Sequence, residues 1–122
     1  MRLFRLILLS LVILSLVVPA AFAAGNAEKG KALFNDPKLG TNGNTCGSCH
    51  PNGKGLEKAG DMSKKEWNTP SGKEKSLEDA INICITAALK GKALEKKSQQ
   101  MHDMVAYIHS LGKAPMKHSA GY

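Results

Sequence analysis

The sequence predicts an all-α domain with three main helices joined by long loops. Three segments carry apolar residues at helical spacing, and each follows a residue type that favours helix N-termini. No segment shows the alternation of apolar and polar residues that is typical of a half-buried strand, and no internal repeat is present. We therefore expect a helical architecture that needs no sheet.

The N-terminal segment has the composition of a secretory signal peptide. Arg2 and Arg5 form a short positive region, positions 6–18 are an apolar run, and the small residues at 21–23 precede a cleavage point. Because this run is too short to span a bilayer comfortably, cleavage is favoured over a permanent anchor. We expect export to the periplasm and no stable membrane span after cleavage.

We expect the whole chain to consist of three parts. We expect a cleaved leader at 1–23, one domain at 24–113 and a flexible tail at 114–122. Without Arg2 and Arg5, fifteen lysines face ten acidic residues, which is a net charge of +5. Nucleic-acid sites favour arginine forks, basic clusters and stacking aromatics, whereas these lysines are dispersed and aromatics are few, so nucleic acid is not an expected partner. The lysines either form a solvated surface or steer the chain toward an acidic partner.

The first helix is predicted over 26–35. Asn26 is an N-cap with Glu28 in the first turn, and the helix ends before the turn at Asp36-Pro37. Gly30 inside this helix indicates either tolerance or a place where another helix comes close.

The other two helices have equally clear ends. Ser76 begins the middle helix and Gly91 is its predicted stop, while Ser98 begins the last helix and Gly112 ends it. The apolar stripes are Leu77, Ile81, Cys84, Ile85 and Ala88 in the middle helix, and Met101, Met104, Val105, Ile108 and Leu111 in the last.

Between the first and middle helices stands the run Cys46-Gly47-Ser48-Cys49-His50. In an exported chain, C-x-x-C-H indicates the attachment of one haem c. Two thiols at this spacing can form thioether bonds to the two vinyl groups of a porphyrin, and the following histidine ligates the iron. Cys46 and Cys49 are the predicted tethers and His50 the proximal ligand. A zinc ribbon would need a second Cys/His pair at similar spacing, and a thioredoxin-like redox pair would need a strand before the motif.

The order of these elements resembles that of class I monohaem cytochromes c. The resemblance covers about residues 26–112 and implies a small cytochrome c fold wrapped around one haem. It also implies that the first and last helices cross at Gly30, Phe34 and Tyr107. Most members of that family take their sixth iron ligand from a Met before the last helix, but residues 91–98 contain no Met.

Cys84 is the odd cysteine once the motif is occupied, and it is either a small core residue or a thiolate ligand. The segments around Cys84 and over 101–108 are similar to haem domains of the SoxA and thiosulfate dehydrogenase group of sulfur-oxidising cytochromes. In that group a Cys of the middle helix is the distal ligand, so the resemblance implies this role for Cys84. Met101 is the alternative; a thiolate favours ferric iron, whereas a thioether raises the potential. Further candidates are Met62, Met104, Met116 and His118.

These observations favour a periplasmic monohaem cytochrome that carries single electrons between redox proteins and is not itself an enzyme. The expected partners are redox proteins with acidic docking surfaces. One alternative is an enzyme or haem subunit of thiosulfate oxidation with Cys84 at the iron, and another is a gas sensor with a five-coordinate haem. Trp67 either packs against the core or donates its indole N–H to a haem propionate.

Overall fold

Four α-helices and one short β-hairpin follow each other along residues 24–113, the part of the chain that the computed structural model describes. The predicted leader and tail, with Met116 and His118, lie outside the described residues. The helices are α1 Ala27–Phe34, α2 Cys46–Cys49, α3 Leu77–Ile83 and α4 Gln99–Lys113; the strands are β1 Trp67–Thr69 and β2 Gly72–Glu74. Helix α3 continues into a π-helical turn at Cys84–Ala88. The all-α class with three main helices is confirmed.

The predicted helix starts are confirmed by their capping bonds. In each case a side-chain oxygen of the cap accepts a hydrogen bond from a backbone N–H three residues later, which satisfies one of the free donors of the first turn. The pairs are Asn26 with Lys29 at 3.0 Å, Ser76 with Asp79 at 3.1 Å and Ser98 with Met101 at 3.2 Å.

The β-hairpin is a feature that the sequence did not predict. Its strands pair antiparallel, with Trp67 opposite Glu74 and Thr69 opposite Gly72. The Thr69 hydroxyl donates to the Gly72 carbonyl at 3.0 Å and closes the turn. Because each strand has only three residues, no alternation could be recognised, and the expectation of a fold without any sheet was wrong in this detail.

Helices α1 and α4 cross in close contact. Gly30 lies against the backbone carbonyl of Asp103, where a Cβ atom would have no room. Beside this point the rings of Phe34 and Tyr107 meet edge to face, with centroids 5.1 Å apart. The crossing implied by the family resemblance is therefore present at all three expected positions.

The core lies between α1, α3 and α4. Its buried members are Phe34, Leu77, Ile81, Ile85, Met101, Met104, Tyr107 and Ile108. Within residues 24–113, no helix has the length and apolarity needed to cross a membrane.

The end of the π-helical turn differs from the prediction. The left-handed residue there is Lys90, with a φ of 57°, and not Gly91. Gly91 instead packs against the backbone of Leu39 so closely that a Cβ atom would strike its carbonyl oxygen. Glycine is thus needed at 91 for a close approach between two segments and not for its own dihedral angles.

Candidate functional site

The C-x-x-C-H motif forms a single helical turn, α2, with its own cap. The Thr45 hydroxyl accepts from the Ser48 N–H at 3.1 Å, and the Ser48 hydroxyl accepts from the Thr45 N–H at 3.0 Å. This reciprocal pair is a capping box. Cys46 and Cys49 are three residues apart in that turn and therefore share a face of it. Cys46 is half-buried against the core, whereas Cys49 is exposed.

The imidazole of His50 is held by a backbone carbonyl. Its Nδ1 atom lies 3.1 Å from the carbonyl oxygen of Lys54. Because a carbonyl can only accept, Nδ1 carries the proton of this bond, and the lone pair of Nε2 is free to ligate a metal. Such outer contacts orient many metal-binding histidines and raise their basicity. The imidazole ring therefore has the tautomer and the fixed orientation that the predicted proximal ligand needs.

The chain reaches Lys54 through a tight turn after Pro51. Asn52 and Gly53 both have left-handed backbone angles, with φ of 52° and 77°. A Cβ atom on Gly53 would collide with the side chain of Leu111 on α4. The turn thus brings the Lys54 carbonyl back to His50 and also seats the motif against the last helix.

Cys84 lies where α3 widens into the π-helical turn. Its carbonyl accepts the N–H of Leu89, five residues later, at 3.2 Å. Widened turns of this kind occur frequently at functional sites. The widening was not predictable from the sequence, because the apolar stripe through Cys84 and Ile85 has ordinary helical spacing.

The three thiols lie close enough to influence one another. Burial raises the pKa of Cys84, and the neighbouring Cys49 adds to the effect. Burial likewise raises the pKa of Cys46 to about 11, with further contributions from Cys84 and Cys49. The folded chain therefore brings the predicted distal ligand to the same region as the two predicted tethers.

These residues fit a bound haem. The site combines a histidine with a free Nε2 atom, two thiols on one turn, a third sulfur nearby, and apolar side chains beside them. The partly buried apolar neighbours that pack against the core include Leu39, Leu56, Leu94 and Leu111. An apolar surrounding would limit the access of water to a bound haem and so tune the potential of its iron.

The methionines considered as ligands have contrasting surroundings. Met101 and Met104 are fully buried members of the core, which gives each of them a packing role. Met62 is 73% exposed and is the only large hydrophobic side chain so exposed among residues 24–113. A ligand role for Met101 stays a prediction.

Trp67 uses its indole N–H within the protein. The Nε1 atom donates to the carbonyl oxygen of Ala59 at 3.0 Å, and the ring packs against the core. The packing interpretation is therefore favoured over a bond to a propionate. His109 is half-buried, with its Nδ1 atom 2.9 Å from the Gly60 carbonyl oxygen.

The fold and the site together define a cytochrome c domain. Residues 29–115 match the family model described as the SoxA/TsdA cytochrome c domain. Since this match spans most of the chain, the chain belongs to that family, and the resemblance to SoxA and thiosulfate dehydrogenase haem domains is confirmed. Searches of curated proteins and of solved structures returned no significant match. Family membership implies haem binding and a role in electron transfer, while the class I monohaem assignment stays a prediction.

Proposed function

We propose that this chain is an exported cytochrome with one covalently bound haem c, and that it carries single electrons between redox proteins in the periplasm. The observation that carries the proposal is the geometry of His50. The Lys54 carbonyl fixes the tautomer that leaves Nε2 free, directly after two thiols on one helical turn. This arrangement suits covalent attachment followed by axial ligation.

Each site residue has a role in this proposal. Cys46 and Cys49 form the thioether bonds, His50 is the proximal ligand and Cys84 is the distal ligand. Haem, when bound, supplies a reversible one-electron iron couple. The chain holds the imidazole in one orientation, keeps a sulfur half-buried beside the motif, and packs apolar side chains nearby. If His50 and Cys84 both hold the iron, no open position would be left for a substrate, which favours outer-sphere transfer.

The charge of the chain supports a protein partner with an acidic docking surface. After removal of the leader, fifteen lysines outnumber the ten acidic residues. A positive surface accelerates encounter with a negatively charged partner and makes that encounter dependent on salt. We therefore expect the physiological donor or acceptor to dock through carboxylates.

A reduced-minus-oxidised spectrum of the exported protein tests this proposal. The wild type should show the α-band of a c-type haem, and the haem should stay with the polypeptide after acid–acetone extraction. A Cys46→Ala, Cys49→Ala double variant should lose its haem under the same extraction. Ser48→Ala lies between the tethers and should retain it. A wild-type protein without a c-type α-band would refute the proposal.

A second function is favoured by the family match, since the SoxA and thiosulfate dehydrogenase group contains sulfur-oxidising cytochromes. In that case the chain is a haem subunit or an enzyme of thiosulfate oxidation, with Cys84 at the iron. The variant Cys84→Ser separates the two functions. A carrier should keep its haem with an altered spectrum and potential, whereas an enzyme should lose turnover with thiosulfate.

A further inference from the structure

The loop before the C-x-x-C-H motif interlocks with the turn that ends the Cys84 helix. Gly40 lies against the backbone and Cβ of Leu89, and Gly91 lies against the carbonyl of Leu39. A Cβ atom on either glycine would collide with its neighbour. Two glycines, one in each segment, thus permit backbone-to-backbone packing that no other residue would allow.

Three hydrogen bonds cross this contact. The Thr41 N–H donates to the Leu89 carbonyl at 2.9 Å, and the Thr41 hydroxyl donates to the Lys90 carbonyl at 2.8 Å. The Asn42 side-chain amide donates to the Ala88 carbonyl at 2.9 Å. Ala88 is the last residue of the π-helical turn and Leu89 is its C-cap, so their carbonyls have no partner within the helix, and Lys90 follows directly. We call Thr41 and Asn42, with the bonds they make here, the loop clamp.

The loop clamp is linked to the backbone of Cys84 through one peptide group. The Ala88 carbonyl accepts from the Asn42 side-chain amide, and the N–H at the other end of the same peptide group, that of Leu89, donates to the Cys84 carbonyl at 3.2 Å. Hydrogen bonds connected in series polarise and strengthen one another. The path from the loop that leads into Cys46 to the backbone of Cys84 therefore consists of two consecutive hydrogen bonds.

The loop clamp does more than provide hydrogen-bond partners for the carbonyls at the end of the Cys84 helix. Thr41, Asn42, Ala88 and Lys90 are exposed, so water could bond to the Ala88 and Lys90 carbonyls in the absence of the two side chains. Lys90 is also held with a φ of 57°, which a lysine does not favour on its own. What the clamp adds, and water cannot, is a fixed separation between the two segments.

We propose that Thr41 and Asn42 are positioning residues that hold the Cys84 helix at a set distance from the haem-binding turn and so keep the Cys84 sulfur on the iron. This inference rests on the proposed function. The two residues touch neither cofactor nor ligand, and they act only through the backbone of Cys84. Loosening the clamp frees the distal position for external ligands without removing the haem.

Cyanide binding to the ferric holoprotein tests this inference. A Thr41→Val, Asn42→Ala variant loses the two side-chain bonds of the clamp and keeps the bond from the Thr41 N–H. In this variant cyanide should bind at least ten times faster than in the wild type, and the low-spin electron paramagnetic resonance signal should shift. Thr41→Ser keeps the hydroxyl and should bind at the wild-type rate. Thr69→Val removes a comparable hydroxyl bond in the hairpin and should also bind at that rate. Should the double variant not fold, Thr41→Val alone should show an intermediate acceleration.

A cycle with Cys84→Ala separates this inference from the proposed function. Cys84→Ala should bind cyanide fastest, and adding the clamp substitutions should give no further acceleration. The positioning role would be overturned if the clamp variants, with an intact c-type α-band, bound cyanide at the wild-type rate. It would also be overturned if the clamp substitutions accelerated cyanide binding as much in Cys84→Ala as in the wild-type background. Cys84→Ala with an unchanged rate would overturn it too. Loss of the α-band in the wild type would instead refute the proposed function itself.

Discussion

Gly30 in α1 lies directly against the backbone carbonyl of Asp103 in α4, with no room between them for a Cβ atom. Gly30→Ala should therefore lower the free energy of unfolding by roughly 1–3 kcal/mol, the usual effect of overpacking, although alanine is the better helix former. Urea unfolding of the holoprotein measures this. Lys31→Ala, at the next and exposed position, should stay within about 0.5 kcal/mol of the wild type. If Gly30→Ala were as stable as the wild type, helices α1 and α4 would be able to move apart at their crossing at little cost in free energy.

Asp103 should make the stability of the same crossing depend on pH. Burial alone would raise its pKa, but the hydrogen bonds from the Asn26 N–H and the Gln99 amide, together with nearby Lys29 and His102, lower the pKa overall. A lowered pKa gives stabilisation that is fully present above the unfolded value of about 3.9 and is lost as pH falls through the folded value.

Thermal unfolding from pH 7 down to pH 3 checks this dependence. Asp103→Asn should melt below the wild type at pH 7, and the difference should begin to shrink below about pH 4, where the Asp103 carboxyl of the unfolded chain takes up its proton before that of the folded chain. A difference that stays constant over the whole range would mean that the charge of Asp103 contributes nothing.

Exchange of the predicted distal sulfur should change the redox potential. Cys84→Met replaces a thiolate by a thioether and should raise the reduction potential by roughly 0.1 V or more, because axial ligands set haem potentials over a range of about 0.8 V. Spectroelectrochemical titration measures this. Met101→Leu is the matched test of the alternative ligand: as a buried packing residue, Met101 should be replaceable without a spectral change, at a loss of under about 1.5 kcal/mol. If Met101→Leu altered the spectrum and Cys84→Met did not, Met101 would be the distal ligand and Cys84 a packing residue.

The lysine excess should appear in the kinetics of electron transfer. The ferrous protein should react faster with ferricyanide, an anion, as salt is lowered, because surface charges attract over about 10 Å at 0.1 M and farther at lower ionic strength. A cationic oxidant such as a cobalt complex should show the opposite dependence. If the rates of electron transfer to both reagents were independent of salt, the lysines would not steer the encounter with a partner.

The helix starts were predictable from the sequence because capping is local. Asn26, Ser76 and Ser98 each bond to a backbone N–H three residues away, and that pattern is written in consecutive residues. The haem motif is predictable for the same reason, since Cys46 and Cys49 share one turn. The crossing at Gly30 needed the family resemblance, because its partner Asp103 is distant in sequence.

What the sequence could not show depends on contacts between distant segments. The widening at Cys84 accompanies the bonds from Thr41 and Asn42, which lie more than forty residues earlier. Lys90, and not Gly91, takes the left-handed angles because Gly91 is already needed against Leu39. Such choices are settled by tertiary packing, which overrides local preference.

The central claim is that one porphyrin is bound covalently to Cys46 and Cys49 of the exported chain. Intact-mass analysis of the secreted protein under denaturing conditions tests it most directly. We expect a single species heavier than the processed polypeptide by the mass of one iron-porphyrin. A mass equal to that of the bare polypeptide would contradict it.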